Sequence, residues 1–239
     1  MSLTYEVAVP QGKWPTFAQM NAAFERHGYP MKVLVQGDQK LDEPMKEFDG
    51  YLSFQVDFMG ELHELDAHCS QFGPAFPGMA YAEDANELLE DLGSDYRVKD
   101  GDHHYNVGMG TKAPPRHCAA NYYMMGVLVT DFDGYGYEGQ GGLFGRSAFS
   151  NEMLGYANAI VADENSKIAE TAAIAERETQ AISAAAEAAK QKRGFPLWRT
   201  LAAIVVFLLV AEFIDKNIYN FTGTGESSAA TMLDNNADN

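Results

Sequence analysis

Hydrophobic side chains change their spacing several times along the 239 residues, and each change predicts an element. Residues 4–9, Thr-Tyr-Glu-Val-Ala-Val, alternate large apolar with small or polar side chains, the signature of a half-buried strand. Pro10 and Gly12 end it. Pro15 is suited to a first helical turn, and Phe17, Met20, Ala23 and Phe24 follow at helical spacing until Gly28 stops the run. Met31 to Val35 reads as a second strand, so the chain opens β-α-β, and residues 37–50 read as a charged loop. Leu52, Phe54, Val56 and Phe58 alternate strictly, and Met59-Gly60 forms a tight turn into a partner strand through Leu62 and Leu65.

The middle of the chain is less regular. Phe72 to Gly78 carries two prolines, which cannot donate to a ladder, and reads as a loop. Residues 83–92 predict a short acidic helix with Leu88, Leu89 and Leu92 inward and Gly93 as its stop. Tyr96 to Val98 suggests a short strand, and the polar, Gly- and Pro-containing residues 100–115 a loop. Arg116 to Thr130 is apolar enough for a buried helix whose last turn runs into a strand, and Asp131 to Gly142 reads as a glycine-rich turn.

From Ser150 the helical period returns, with Met153, Leu154, Ala157, Ile160 and Val161 on one face. It continues into an alanine-rich stretch, Ile168 to Lys190, which loses little side-chain entropy in a helix. Ile168, Ile174 and Ile182 are too unevenly spaced for a heptad seam, so the stretch reads as a stalk that could also associate with a second copy. Gly194 and Pro196 break it. A continuous apolar run follows, from Leu197 to Ile214, with no polar side chain between Leu201 and Ala211. The run is short for a bilayer, which takes roughly 20 apolar residues. Its flanks favour a membrane: Lys190, Lys192 and Arg193 precede it, Trp198 and Arg199 suit a headgroup layer, and Tyr219 with Phe221 matches them on the far side. The anchor would comprise Trp198, Arg199, Leu201, Ile204, Phe207, Leu208, Glu212 and Tyr219. The competing reading makes 197–214 a core helix of a soluble enzyme.

The expected fold class is therefore α+β: a small mixed or antiparallel sheet with packed helices, then a long Ala-rich helix and one C-terminal transmembrane helix. The expected boundaries are residues 1–149 for the domain, 150–194 for the stalk, 195–221 for the span with its interfacial flanks, and 222–239 for a disordered polar tail. The N-terminus shows no basic stretch followed by an apolar one, so no leader is expected. The basic collar then places the domain in the cytoplasm and the tail across the membrane.

Charge narrows the partners. The chain carries a net charge of −17, and up to Asp163 there are 24 acidic against 10 basic residues, a balance of −14. Such a surface repels phosphate backbones and disfavours nucleic acid. The expected partners are proteins or membrane-complex subunits and the lipid bilayer, and no cofactor is implied.

Four candidate chemistries bear on function. His63, His68, Cys69, His103, His104, His117 and Cys118 include two His-Cys pairs, but only His63-x4-His68 approaches zinc-ligand spacing. Asp131-x-Asp133-Gly-x-Gly136 carries alternating oxygen ligands as a calcium loop does, but Tyr135 and Gly142 occupy the fifth and twelfth ligand positions. No nucleophile elbow, phosphate loop or dinucleotide fingerprint is present. Glu212 within the apolar run is costly unless it reaches the outer interface or pairs across subunits. The expected function is a non-enzymatic, membrane-anchored accessory or scaffold protein, with a metal- or ligand-binding sensor as the alternative.

Overall fold

A computed structural model of the chain describes residues 2–35, 37–45, 51–73, 80–110, 112–140, 142–191 and 204–208. The fold is α+β. Seven strands, β1 (Ser2–Val9), β2 (Met31–Val33), β3 (Tyr51–Phe58), β4 (Glu61–Gln71), β5 (His103–Gly110), β6 (Tyr135–Glu138) and β7 (Phe144–Gly145), form one sheet in the order β2-β3-β4-β5-β1-β6-β7. Every strand pair is antiparallel. The helices are α1 (Phe17–His27), α2 (Ala82–Asp91), α3 (Pro115–Asp131) and α4 (Ser147–Gln191).

The alternation of β1 puts Tyr5, Val7 and Val9 on one face and Ala8 on the other. The first face is covered by α1, α3 and the start of α4, through Phe17, Met20, Phe24, Tyr123, Met124, Leu128, Phe149 and Met153. Among the described residues the second face is covered only near Ala8, Phe72 and Tyr137, by Ala82, Ala85 and Leu89 of α2 with Val98. The compact unit runs from Met1–Glu170, so the first turns of α4 belong to it. Two glycines let α4 approach: a Cβ on Gly136 would stand 2.1 Å from the Phe149 ring, and one on Gly126 2.4 Å from Leu154.

Helix α1 starts at a capping box in which Thr16 and Gln19 exchange side-chain to backbone hydrogen bonds. Pro15 therefore lies just before the cap, not in the first turn. The β3–β4 hairpin turns on Met59 (φ 55°) and Gly60 (φ 81°), the two positive-φ positions a two-residue turn needs, and Asp57 Oδ1 accepts from the Gly60 amide. Arg116 at the start of α3 binds Glu61 of β4 at 2.5 Å and Glu164 of α4 at 2.9 Å, joining three elements.

Helices α1 and α2 share a device. Asn21 receives the Val33 amide at 2.8 Å and donates to the Val33 carbonyl at 2.9 Å. Asn86 does the same to Val98, at 2.8 and 2.9 Å. Glu25, Gly28 and Val33 recur 65 positions later as Glu90, Gly93 and Val98, and both glycines have positive φ. Strands β1 and β4 are parallel, since both run against β5. The chain leaves β1 toward β2 over one face and leaves β4 toward β5 over the other. The first connection joins the parallel strands β1 and β2, and the second joins the antiparallel neighbours β4 and β5.

Several expectations are corrected. Residues 100–115 are not a loop: β5 lies at the centre of the sheet. Its buried face, Tyr105, Val107 and Met109, is regular, but the opposite positions are His104, Asn106, Gly108 and Gly110, which hide the alternation. Residues 131–142 contain β6, whose Tyr135 and Tyr137 flank a glycine required by Phe149. Residues 96–98 are extended but pair with a side chain, Asn86, and not with a strand. The sheet is also larger than expected. Among the described residues no helix is long and apolar enough to cross a membrane. Of the run at 197–214 only residues 204–208 are described, and they are helical and exposed.

Two substitutions separate close packing from propensity. Gly136→Ala should destabilise the protein by about 1–3 kcal/mol by overpacking against Phe149. Gly155→Ala, in α4 with nothing within 4 Å of the added Cβ, should instead gain up to about 1 kcal/mol. Urea unfolding followed by circular dichroism reads both. Asn86→Ala should cost about 1–3 kcal/mol by stranding two backbone groups of Val98, in the same measurement.

Candidate functional site

The uncovered part of the second sheet face begins where α2 ends its coverage, and a polar row lies along that border. His68 of β4 is paired with Asn106 of β5, Asn106 with Glu6 of β1, and Glu6 with Tyr137 of β6. With strands about 4.8 Å apart, the row spans about 14 Å. Ser70, His104 and Ala8 form the adjacent row on the α2 side. Gly108, Thr4 and Gly139 lie on the other side, where Thr4 has a glycine on each flank.

Glu6 is the centre of this arrangement. Its carboxylate is 17% exposed. Oε2 accepts from His104 Nε2 at 2.7 Å and from the Tyr137 hydroxyl at 3.0 Å. Among the described residues nothing hydrogen-bonds Oε1; His104 pairs with the carboxylate, and His68 lies within its electrostatic reach. A Cβ on Gly139 would stand 3.3 Å from Oε1, so the glycine keeps that side open. Burial raises the pKa of Tyr137, and the Glu6 charge and its hydrogen bond add to the rise, so the phenol stays protonated as a donor. Burial, helped by nearby His104, lowers the pKa of His68. Ser70 Oγ and His104 Nδ1 are buried without a hydrogen-bond partner. The row can hold a carboxylate in a fixed orientation and offer one of its oxygens to a ligand. Among the described residues the Ser70 hydroxyl is buried and has no hydrogen-bond partner.

The residues singled out in the sequence are dispersed. Cys69 lies in the core on the face opposite His68. His103 stacks on Trp14, with centroids 5.1 Å apart. His63 lies edge-on to Phe58 and near Glu61, Arg116 and His117. Its pKa is lowered, chiefly by burial. Cys118 Sγ is 3.9 Å from the Ala113 carbonyl, and burial raises the thiol pKa. Asp131 pairs with Arg26 and with His27 at 2.9 Å, and Asp133 with Lys13 at 3.2 Å and Arg146 at 3.4 Å. Among the described residues no group of three or more His, Cys, Asp or Glu is disposed to hold a metal ion. Of the anchor residues, Ile204, Phe207 and Leu208 are helical and exposed; Trp198, Arg199, Leu201, Glu212 and Tyr219 lie outside the described residues.

His104 and His68 were candidates, but for a metal. Glu6, Asn106, Ser70 and Tyr137 were missed. The one legible signal was Glu6 itself, the only charged residue in an otherwise apolar strand run. The chain matches no protein-family model, no curated protein and no solved structure.

The titrations give a definite acid response. His63 and His68 have folded pKa values below the unfolded value of about 6.5, so the unfolded chain binds the extra protons and stability falls as pH drops below about 6.5. Burial pushes the Asp131 pKa up, but hydrogen bonds from Thr130, His27 and Arg26 outweigh it and leave it lowered. Its contribution is present above the unfolded pKa of about 3.9 and lost as pH falls through the folded value. Unfolding midpoints measured from neutral to acid pH should fall in these two stages. His63→Gln with His68→Gln should flatten the first stage, and Asp131→Asn the second.

Proposed function

We propose that the chain is a membrane-tethered, non-enzymatic accessory protein, in which an acidic α+β binding domain is carried on a helical stalk and anchored by the apolar run at 197–214. The observation that carries this reading is helix α4. It is continuous over 45 residues, its Phe149, Met153 and Ala157 are buried in the domain core, and residues 165–188 are exposed on every side. A helix without a buried face is spent as a spacer or as a surface for a second chain. This one leads directly to the basic collar and the apolar run. Residues 204–208 within that run are helical, with side chains 52–60% exposed, as suits a segment solvated by lipid or by other subunits.

The uncovered, polar second face of the sheet supports the binding role. The collar of Lys190, Lys192, Arg193 and Arg199 favours an orientation with the domain on the cytoplasmic side. Proteins or subunits of a membrane complex are the partners proposed.

Carbonate extraction of membranes should leave the full chain in the pellet. A variant with Ile204, Phe207 and Leu208 all changed to Asp should move to the supernatant, since each charge at a helix centre costs about 2.5–3.5 kcal/mol of insertion. Release of the unaltered chain by carbonate would remove the anchor.

A further inference from the structure

We propose that the row His68, Asn106, Glu6 and Tyr137 is a binding site for an organic cation, a guanidinium or alkylammonium group received by Glu6 Oε1. This inference does not rest on the membrane tether.

The first argument is charge. Glu6 is mostly buried, and its carboxylate is held from one side only, by a histidine and a phenol that both converge on Oε2. A half-buried carboxylate without a strong cation beside it costs free energy, and that cost is recovered when a cation arrives. Other carboxylates are satisfied on both oxygens or by a strong cation: Asp131, Asp133 and Glu164 each meet a lysine or arginine, and buried Asp102 accepts from the Gln11 amide on one oxygen and the Lys99 amide on the other. Glu6 meets neither among the described residues.

The second argument is preorganisation. The two donors on Oε2 fix the plane of the carboxylate, and Tyr137 is locked in place as a donor because its own ionisation is suppressed. An orientated carboxylate loses little freedom on binding, and it suits the fork of a guanidinium better than a mobile surface glutamate does.

The third argument is access and surroundings. Gly108 and Gly139 flank Thr4 beside Glu6, and a Cβ added to Gly139 would stand 3.3 Å from Oε1. Asn106 lies beside Glu6 in the row and adds a polar, uncharged neighbour. The uncovered strands beyond carry exposed Asp57, Gln55 and Glu64, and the domain as a whole is acidic, so the field draws cations toward this face. On the α2 side, the buried and unpartnered Ser70 Oγ and His104 Nδ1 show that polarity has been retained there at a cost to stability.

The test is calorimetric titration of the full chain, in a neutral detergent, with arginine amide. Citrulline amide serves as the analogue without the guanidinium charge, and both compounds are used as their N-acetyl derivatives so that neither carries a charged α-amine. Arginine amide should bind and citrulline amide should not. Glu6→Gln keeps the acceptor for His104 and Tyr137 but turns a donor toward the ligand, and it should weaken binding by at least about tenfold. Glu87→Gln, an equal charge change on the exposed side of α2, should leave binding unaltered. Gly108→Val adds a side chain to the floor without touching charge and should also weaken binding, which guards against misfolding of the Glu6 variant. A second arm distinguishes the source of the cation. Tighter binding of an extended peptide with one central arginine than of arginine amide assigns the site to a basic protein segment, and equal binding assigns it to a free small cation. No binding of arginine amide or of the peptide, equal binding of citrulline amide, or unchanged binding by Glu6→Gln would overturn the proposal.

Discussion

Strand β1 is hydrogen-bonded along both edges, to β5 and to β6, and is buried on both faces at Val7, Ala8 and Val9. A strand in that position allows no unsatisfied backbone group and little freedom in its side chains. Three consequences follow from it. The helices must form two layers, one on each face. Residues opposite Ala8 must be small or flat, which places Tyr135 and Tyr137 of β6 and the edge of α2 there. Any charge on β1 must be held by specific partners, and Glu6 has them in His104 and Tyr137, which come from the two strands beside it. The site is thus a by-product of the most constrained strand, and not of a loop.

The elements with one clear period were legible. Helix α1, with its apolar stripe and Gly28 stop, and the β3–β4 hairpin, with Met59-Gly60 at its tip, follow from local chemistry alone. Helix α3 and the long α4 follow from composition. What was not legible depends on long-range partners. Strand β5 shows regular apolar positions on only one face, and its glycines and histidines look like loop residues until β1 and β4 are placed on either side. Gly136 looks like a turn residue until Phe149, 13 positions later, is seen to fill the space above it. The polar row is less legible still, since its four members come from four strands and no two are adjacent in sequence. A search by ligand spacing could find His63 and His68, but these are odd and even positions on one strand and so face opposite sides.

The two faces of the sheet have different physical roles. The first is closed by aromatic and methionine side chains from three helices, with Arg116 binding the hairpin, α3 and α4 at their meeting point. The second is closed over one part only, and the boundary between its apolar and open parts passes through the Glu6 row. The larger core therefore lies on the first face, so that changes at the Glu6 row need not disturb it.

The matched asparagine clamps of α1 and α2 have a bearing on how the domain guards its margins. Val33 lies on the edge strand β2, and the Asn21 amide takes up both its N–H and its C=O, groups that an edge would otherwise offer to a passing strand. Asn86 does the same for Val98, which no described strand pairs. One amide side chain on each helix thus does locally what a further strand would do.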